Sequence, residues 1–281
     1  FEEIQDGGIV IEDPLKNIRS VTRVPVINNL EPDDCYVYIL VVIRKNQIPE
    51  LLPVLAGNRS PNVVFMVNNP SGPDELISAL GKQRVMLGFV FGAGKREGSV
   101  IRAISESVSS IAGRFNSSPF GEIDGTITPR LTRLVSILRR ADFPAGASRN
   151  VTNYLATHAA LVAPLAAFIM QRGYDRAALA RYTNQDFGTL VDALRETLDV
   201  LPAVGVRITP RRIVILKIVP RFLLIAGFRA ILPSRFMEVG GLYHISQAPD
   251  EMQQLGRELM ALVDKSGLPA PTLRKLFSSD H

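Results

Sequence analysis

Few of the residue types that usually carry chemistry are present in number. Cys35 is the only cysteine among 281 residues. An intramolecular disulfide is impossible and a thiolate metal cluster is not expected, so a reducing, cytoplasmic setting fits. Cys35 stands in DDCYVYILVV, just before an apolar run, where it reads as a small buried apolar residue. His158 and His244 have no partners at zinc-type spacing. No metal site is expected, and both read as core or groove histidines rather than catalytic ones. A phosphate-binding glycine loop is also missing. Gly7-Gly8 and GFVFGAG (88–94) lack the Gly-x-Gly-x-x-Gly spacing. In a strand–turn–helix setting, that spacing lets backbone N–H groups and a helix N-terminus hold a pyrophosphate.

The net charge is +5 and the sequence pI about 9.5. The Lys and Arg are dispersed, with Arg139-Arg140 and Arg211-Arg212 the longest clusters, and no aromatic–basic RNA motif accompanies them. Nucleic acid is therefore not expected. A solvated basic face, or a site for a phosphate-bearing cofactor, is. Two stretches approach membrane composition. Residues 155–170 contain His158 and Pro164, and residues 213–232 are interrupted by Lys217, Pro220, Arg221 and Arg229. Spanning needs about 20 mostly apolar residues, so core helices are expected and no membrane partner. The opening FEEIQDGGIVIED is acidic and is no signal peptide. A frame that begins at Phe1 reads as truncated or incomplete.

These residues must be positioned by two different kinds of element. In the first half, Gly8–Glu12 and Val21–Ile27 read as a hairpin, and Tyr36–Ile43, Asn62–Val67 and Val85–Val90 as strands. Near-continuous β-branched runs suit parallel strands covered on both faces. Helices are predicted at Gln47–Ala56 and Pro73–Leu80, further strands at Val100–Ile104 and Ile111–Phe115, a turn at 121–125, and an amphipathic helix over Thr128–Arg140. Alternation of this kind predicts an α/β sheet. From about Asn150 the periodic runs are all helical: 151–172, 176–181, 186–204, 211–232, 235–247 and 249–266. Gly173, Gly205 and Gly267 stand at the C-caps. A junction near PAGASRN divides the chain into domains 1–148 and 149–281.

Five segments, in order, resemble the ketopantoate reductase family of NAD(P)-dependent 2-oxoacid reductases. They are ILVVIRKNQIPELLPVLA (39–56), NVVFMVNNPSGPDEL (62–76), VMLGFVFGAGKREGSVI (85–101), TLVDALRETLDVLPAVGVRITP (189–210) and DEMQQLGRELMALVDKSGLPAPTL (250–273). The resemblance implies an incomplete Rossmann-like parallel sheet followed by an all-helical C-terminal domain, with NADP, or NAD, as cofactor. It also implies reduction of a small 2-oxoacid in an interdomain cleft, and it leaves a homodimer open.

By the same resemblance, Asn69 falls at the nicotinamide and substrate, where an amide can donate to a carbonyl and accept from a hydroxyl. Arg44, with Lys45 the neighbouring candidate, falls on a cofactor-contacting lysine. Gly94 falls where backbone approaches the nicotinamide, and Glu251 on a glutamate from the helical domain. Asn69 and Glu251 are the expected catalytic residues; Arg44, Asn69, Gly94 and Glu251 are the expected cofactor contacts.

Two departures stand out. The first βαβ unit with its glycine fingerprint is absent. The family's general-acid lysine is replaced by Ala156 in NYLATHAALVAP, with Tyr154 at the aromatic position and apolar residues near Ala159 and Ala163 where the family has asparagines. The alternatives are therefore a non-catalytic dinucleotide-binding or interaction relative, or an inactive truncated product.

Overall fold

A computed structural model describes every residue except 1, 15, 91–92, 105–116, 172 and 279–281. The expected strand at Ile111–Phe115 lies outside the described residues.

The main sheet has five strands in the order β3-β4-β5-β8-β9: β3 (Ile39–Val41), β4 (Val63–Phe65), β5 (Val85–Gly88), β8 (Ser118–Glu122) and β9 (Ala145–Ala147). β3, β4 and β5 run parallel in register, Ile39 beside Val63 beside Val85. β8 turns antiparallel to β5, and β9 runs parallel to β8. The sheet is thus mixed rather than all-parallel.

Period-two geometry explains the apolar runs. Val63, Phe65, Val85 and Leu87 point to one face, covered by α2 (Ile48–Gly57) and α3 (Asp74–Leu80). Val64, Met66 and Met86 point to the other, against Leu131 and Leu134 of α4 (Pro129–Arg140). Both faces are dry, so both residue phases are apolar. Thr128 caps α4 by accepting from the Leu131 N–H at 3.2 Å. β3 lies at the sheet edge, where Tyr36, Val37, Leu40 and Val42 are exposed.

The predicted hairpin forms, but earlier than expected: β1 (Ile9–Asp13) pairs antiparallel with β2 (Ile18–Thr22). Pro25, with no N–H to donate, cannot serve the ladder that Val21–Ile27 would need. This hairpin does not join the main sheet. β1 pairs parallel with β7 (Val100–Ile104), and β7 antiparallel with β6 (Ala93–Glu97), giving a separate four-stranded sheet. The segment expected to be a turn at 121–125 begins inside β8. Gly121 is required there, because a Cβ would lie 2.5 Å from the Ser148 carbonyl oxygen.

The helical half is built on two 20-residue helices, α5 (Val151–Met170) and α7 (Asn184–Ala203), with α6 (Arg176–Ala180) between them. Thr183 and Asp186 form a reciprocal capping box at the start of α7. The core gathers Ala159, Ala163, Phe168, Leu190, Leu194, Leu255 and Leu259. α5 is apolar and long enough to cross a membrane, but 61% of its apolar window is buried inside the protein. The helix expected over 211–232 is broken. A 3-10 turn (Arg211–Val214) leads into α8 (Ile215–Ile218), and α9 (Arg221–Ile231) restarts after Pro220. The run 235–247 carries a π turn at Glu238–Leu242 and closes with α11 (Tyr243–Gln247). α12 (Pro249–Ser266) ends at Gly267 in the left-handed region. A helix that the periodicity had not indicated, α13 (Pro271–Ser278), follows it. Val151 and Leu155 of α5 pack into the core beneath β3–β5, so the two halves share apolar contacts.

Candidate functional site

The site lies at the carboxyl ends of β3, β4 and β5, where α5, α11 and α12 approach. After β3 the chain enters a 3-10 turn, Lys45–Gln47, that points successive side chains in different directions. Arg44 stays on the rim. Its guanidinium donates to Asp250 at 3.2 Å and to the Gln247 carbonyl at 2.5 Å. Lys45 turns inward and is 7% exposed. Its Nζ donates to Asn69 Oδ1 at 3.0 Å and lies 3.8 Å from the Glu75 carboxylate.

After β4 come Asn68 and Asn69. Asn69 is buried, and its Nδ2 donates to the Gly72 carbonyl at 2.7 Å, so its orientation is fixed from both ends of the amide. Asn68 Nδ2 donates to Glu251 Oε1 at 3.2 Å.

Glu251 reaches this network from α12. It is 3% exposed, accepts from Asn68 and from the Lys45 backbone N–H at 3.4 Å, and lies 3.8 Å from His244 Nε2. Its neighbour Asp250 takes Arg44 and, at 2.7 Å, the Asn46 amide. The Asn46 amide chiefly, then the Glu251 backbone N–H and Arg44, hold the Asp250 carboxyl below the usual range. Asn69 and Glu251 are thus joined through Lys45 and Asn68, across 183 to 206 residues of sequence.

Aromatic groups form the neighbouring wall. Phe89, just past β5, lies 4.3 Å from the His158 ring and 5.6 Å from Tyr154, whose ring runs parallel to that of His158. Burial pushes His158 down to about 4, with His244 adding to the effect, although the residue as a whole is only partly buried. Burial likewise pushes Tyr154 up to about 12, against the pull of Arg212. Ala156 is buried on α5. Gly94 lies in β6 opposite Ala103, in the second sheet; that strand packs beside α11, the helix that bears His244.

The structure therefore brings Asn69, Glu251 and Arg44 to one place and adds residues that the sequence had not marked. Asn68 and Asp250 flank expected positions without a signal of their own. Lys45 was the neighbouring candidate, and the 3-10 turn decides that it, rather than Arg44, faces inward. His158 and His244, read as core or groove residues, both line this region. Among the described residues no cluster of three or more His, Cys, Asp or Glu could hold a metal ion.

Asn68 Oδ1 is buried and has no hydrogen-bond partner among the described residues. An amide oxygen held this way, with its nitrogen committed to Glu251, is an acceptor for a ligand N–H.

No protein-family model matches the sequence, and no curated protein does. Solved structures do. A PanE/ApbA family ketopantoate reductase from Ralstonia eutropha JMP134 superposes with a TM-score of 0.71 at 19% identity, over 99% of this chain and 85% of that one. A 2-dehydropantoate 2-reductase from Geobacter metallireducens GS-15 gives 0.71 at 14% identity, over 99% and 87%. D-mandelate dehydrogenase, with NADH and anilino(oxo)acetate, gives 0.67 at 10% identity, over 99% and 85%. At such identities the likeness shows the fold: a Rossmann-like α/β sheet followed by a helical C-terminal part.

Proposed function

We propose that this chain is a nicotinamide-dinucleotide-dependent oxidoreductase that reduces the ketone of a small 2-oxoacid between its α/β and helical halves. The observation that carries this reading is the buried network at the carboxyl ends of β3 and β4, which binds Lys45, Asn68 and Asn69 to Glu251 of the helical half. Ligands of open α/β sheets bind in that crevice. The neighbours named above are reductases and dehydrogenases of this architecture, which supports the class but not the substrate.

The residues present fit the nicotinamide end of such a cofactor. The unpartnered Asn68 Oδ1 suits a carboxamide N–H, and Glu251 and Asn69 stand beside it. Arg44, at the rim with an exposed guanidinium, and Gly94 are assigned to the cofactor by the resemblance. The sequence holds no Gly-x-Gly-x-x-Gly loop for a pyrophosphate, and no other residue is assigned to that end. When bound, the nicotinamide would supply hydride.

The chain's own groups orient and protonate. Lys45, its ammonium held between Asn69 and Glu75, would donate to the ketone oxygen and release a proton to the resulting alkoxide. Ala156 cannot do this, and His158 is neutral at pH 7. General-acid help of this kind is worth about 10²–10⁴-fold. Glu251 fixes the Lys45 backbone and Asn68, and so aligns the donor set.

The test is fluorescence titration with NADPH and NADH, then consumption of the reduced cofactor with a panel of 2-oxoacids including ketopantoate. Binding with turnover is expected, and Lys45→Met should lower turnover at least a hundredfold while cofactor affinity stays within a few-fold. Absence of dinucleotide binding would refute the reading. Binding with no turnover on any 2-oxoacid would point instead to a non-catalytic dinucleotide-binding relative.

A further inference from the structure

An open groove lies over the broken helical stretch that follows α7, its Arg212 side turned toward Tyr154. Its floor is apolar, with Val206, Ile208, Val214 and Ile215, and Arg207, Arg211 and Arg212 stand around it. Ile218, which also lines the groove, is 77% exposed, and beyond it Phe222 is 68% exposed, with Leu223 and Ile231 also exposed. Ile215 and Ile218 lie three residues apart on one side of α8, Phe222 follows beyond the break at Pro220, and all three are exposed.

The reason they face outward is on the opposite side. Lys217 pairs with Asp199 and Arg221 with Asp192, both on α7, while the Arg195 guanidinium donates to the Leu216 and Val219 carbonyls. The polar positions are tied down to α7, and the apolar ones are left in water. Residues 200–231 carry six Arg or Lys and no Asp or Glu.

Exposed isoleucine and phenylalanine beside a run of cations, of which Asp199 and Asp192 neutralise Lys217 and Arg221, are the surface chemistry of a segment lying in the headgroup layer of an anionic bilayer. We propose that residues 206–231 form a peripheral contact with a membrane leaflet rich in anionic lipid. Ile215, Ile218 and Phe222 enter the acyl boundary, and Arg207, Arg211 and Arg212 meet lipid phosphates. No helix crosses the bilayer in this arrangement; the molecule lies on it. Charge complementarity selects this occupant over a second copy of the same face. A two-fold contact would gather the cations of both copies into one interface, with Asp192 and Asp199 already engaged and no carboxylate within residues 200–231 to offset them. The exposed apolar groups select it over nucleic acid, whose backbone offers them nothing to enter.

The test is co-sedimentation of the full chain with vesicles of phosphatidylcholine alone and of phosphatidylcholine with about one third phosphatidylserine. Binding to the anionic vesicles only is expected, and raising the salt concentration should weaken it. Ile218→Glu combined with Phe222→Glu should lower partitioning at least tenfold, because it removes two insertions and adds two like charges. Both positions are solvent-exposed, so circular dichroism and melting of the variant should match the parent. Arg211→Gln with Arg212→Gln should also lower binding, through a separate term. Three outcomes overturn the proposal: no preference for anionic vesicles, sedimentation as a dimer that Ile218→Glu dissociates with no vesicle binding, or binding to a DNA duplex without vesicle binding.

Discussion

His158 offers a direct probe of the wall between the halves. Its imidazole is packed against Phe89 and Tyr154, and burial, with His244 adding to it, lowers its pKa from 6.5 to about 4. The folded chain therefore refuses a proton that the unfolded chain accepts. Above pH 6.5 neither state is protonated there, and the group leaves stability independent of pH. As pH falls from 6.5 toward 4 the unfolded state gains the proton alone, so stability is lost across that window; below about 4 the loss levels off. At about 1.4 kcal/mol per pH unit, the interval amounts to about 3 kcal/mol. Because the residue as a whole is only partly buried, this is an upper value. Urea midpoints of the parent and of His158→Phe, measured at neutral pH and near pH 4, isolate it. Phenylalanine keeps the aromatic contact and removes the titration, and the carboxylates common to both proteins cancel. The parent should lose up to about 3 kcal/mol more than the variant on acidification. Parallel losses in the two proteins would refute the burial argument and with it the closed packing of Phe89, Tyr154 and His158.

Three further outcomes follow from other contacts. Glu251→Ala leaves the Asn68 amide and the Lys45 N–H without their acceptor, at about 1–3 kcal/mol each, whereas Glu251→Gln should recover most of the loss in urea denaturation. Glu196 accepts from the Thr272 and Leu273 N–H groups and so caps α13 from another helix. Glu196→Ala should cost about 1–2 kcal/mol and raise hydrogen exchange in 271–278 first. Gly121→Ala would press a methyl group against the Ser148 carbonyl at 2.5 Å and Val151 at 2.7 Å, and should destabilise by about 1–3 kcal/mol in thermal melts.

The sequence alone determined that there is an α/β part followed by a helical one. Val63–Phe65 and Val85–Gly88 are apolar in both phases because the sheet is covered on both sides, and that pattern is local. The helices α5, α7 and α12 are likewise written in their periodicity, and the end of α12 in the cap at Gly267. What only the tertiary structure decided depends on distant pairings. The β1–β2 hairpin leaves the main sheet because β1 pairs with β7, about ninety residues further along. β8 reverses direction against β5, which no apolar run records. Arg44 and Lys45 are adjacent cations in the sequence. Lys45 goes inward only because β3 ends at Val41 and the 3-10 turn that follows presents it to Asn69, with Glu251 arriving from 206 residues away. A composition rule can nominate a charge, but which charge gives up water is set by the partners that fold around it.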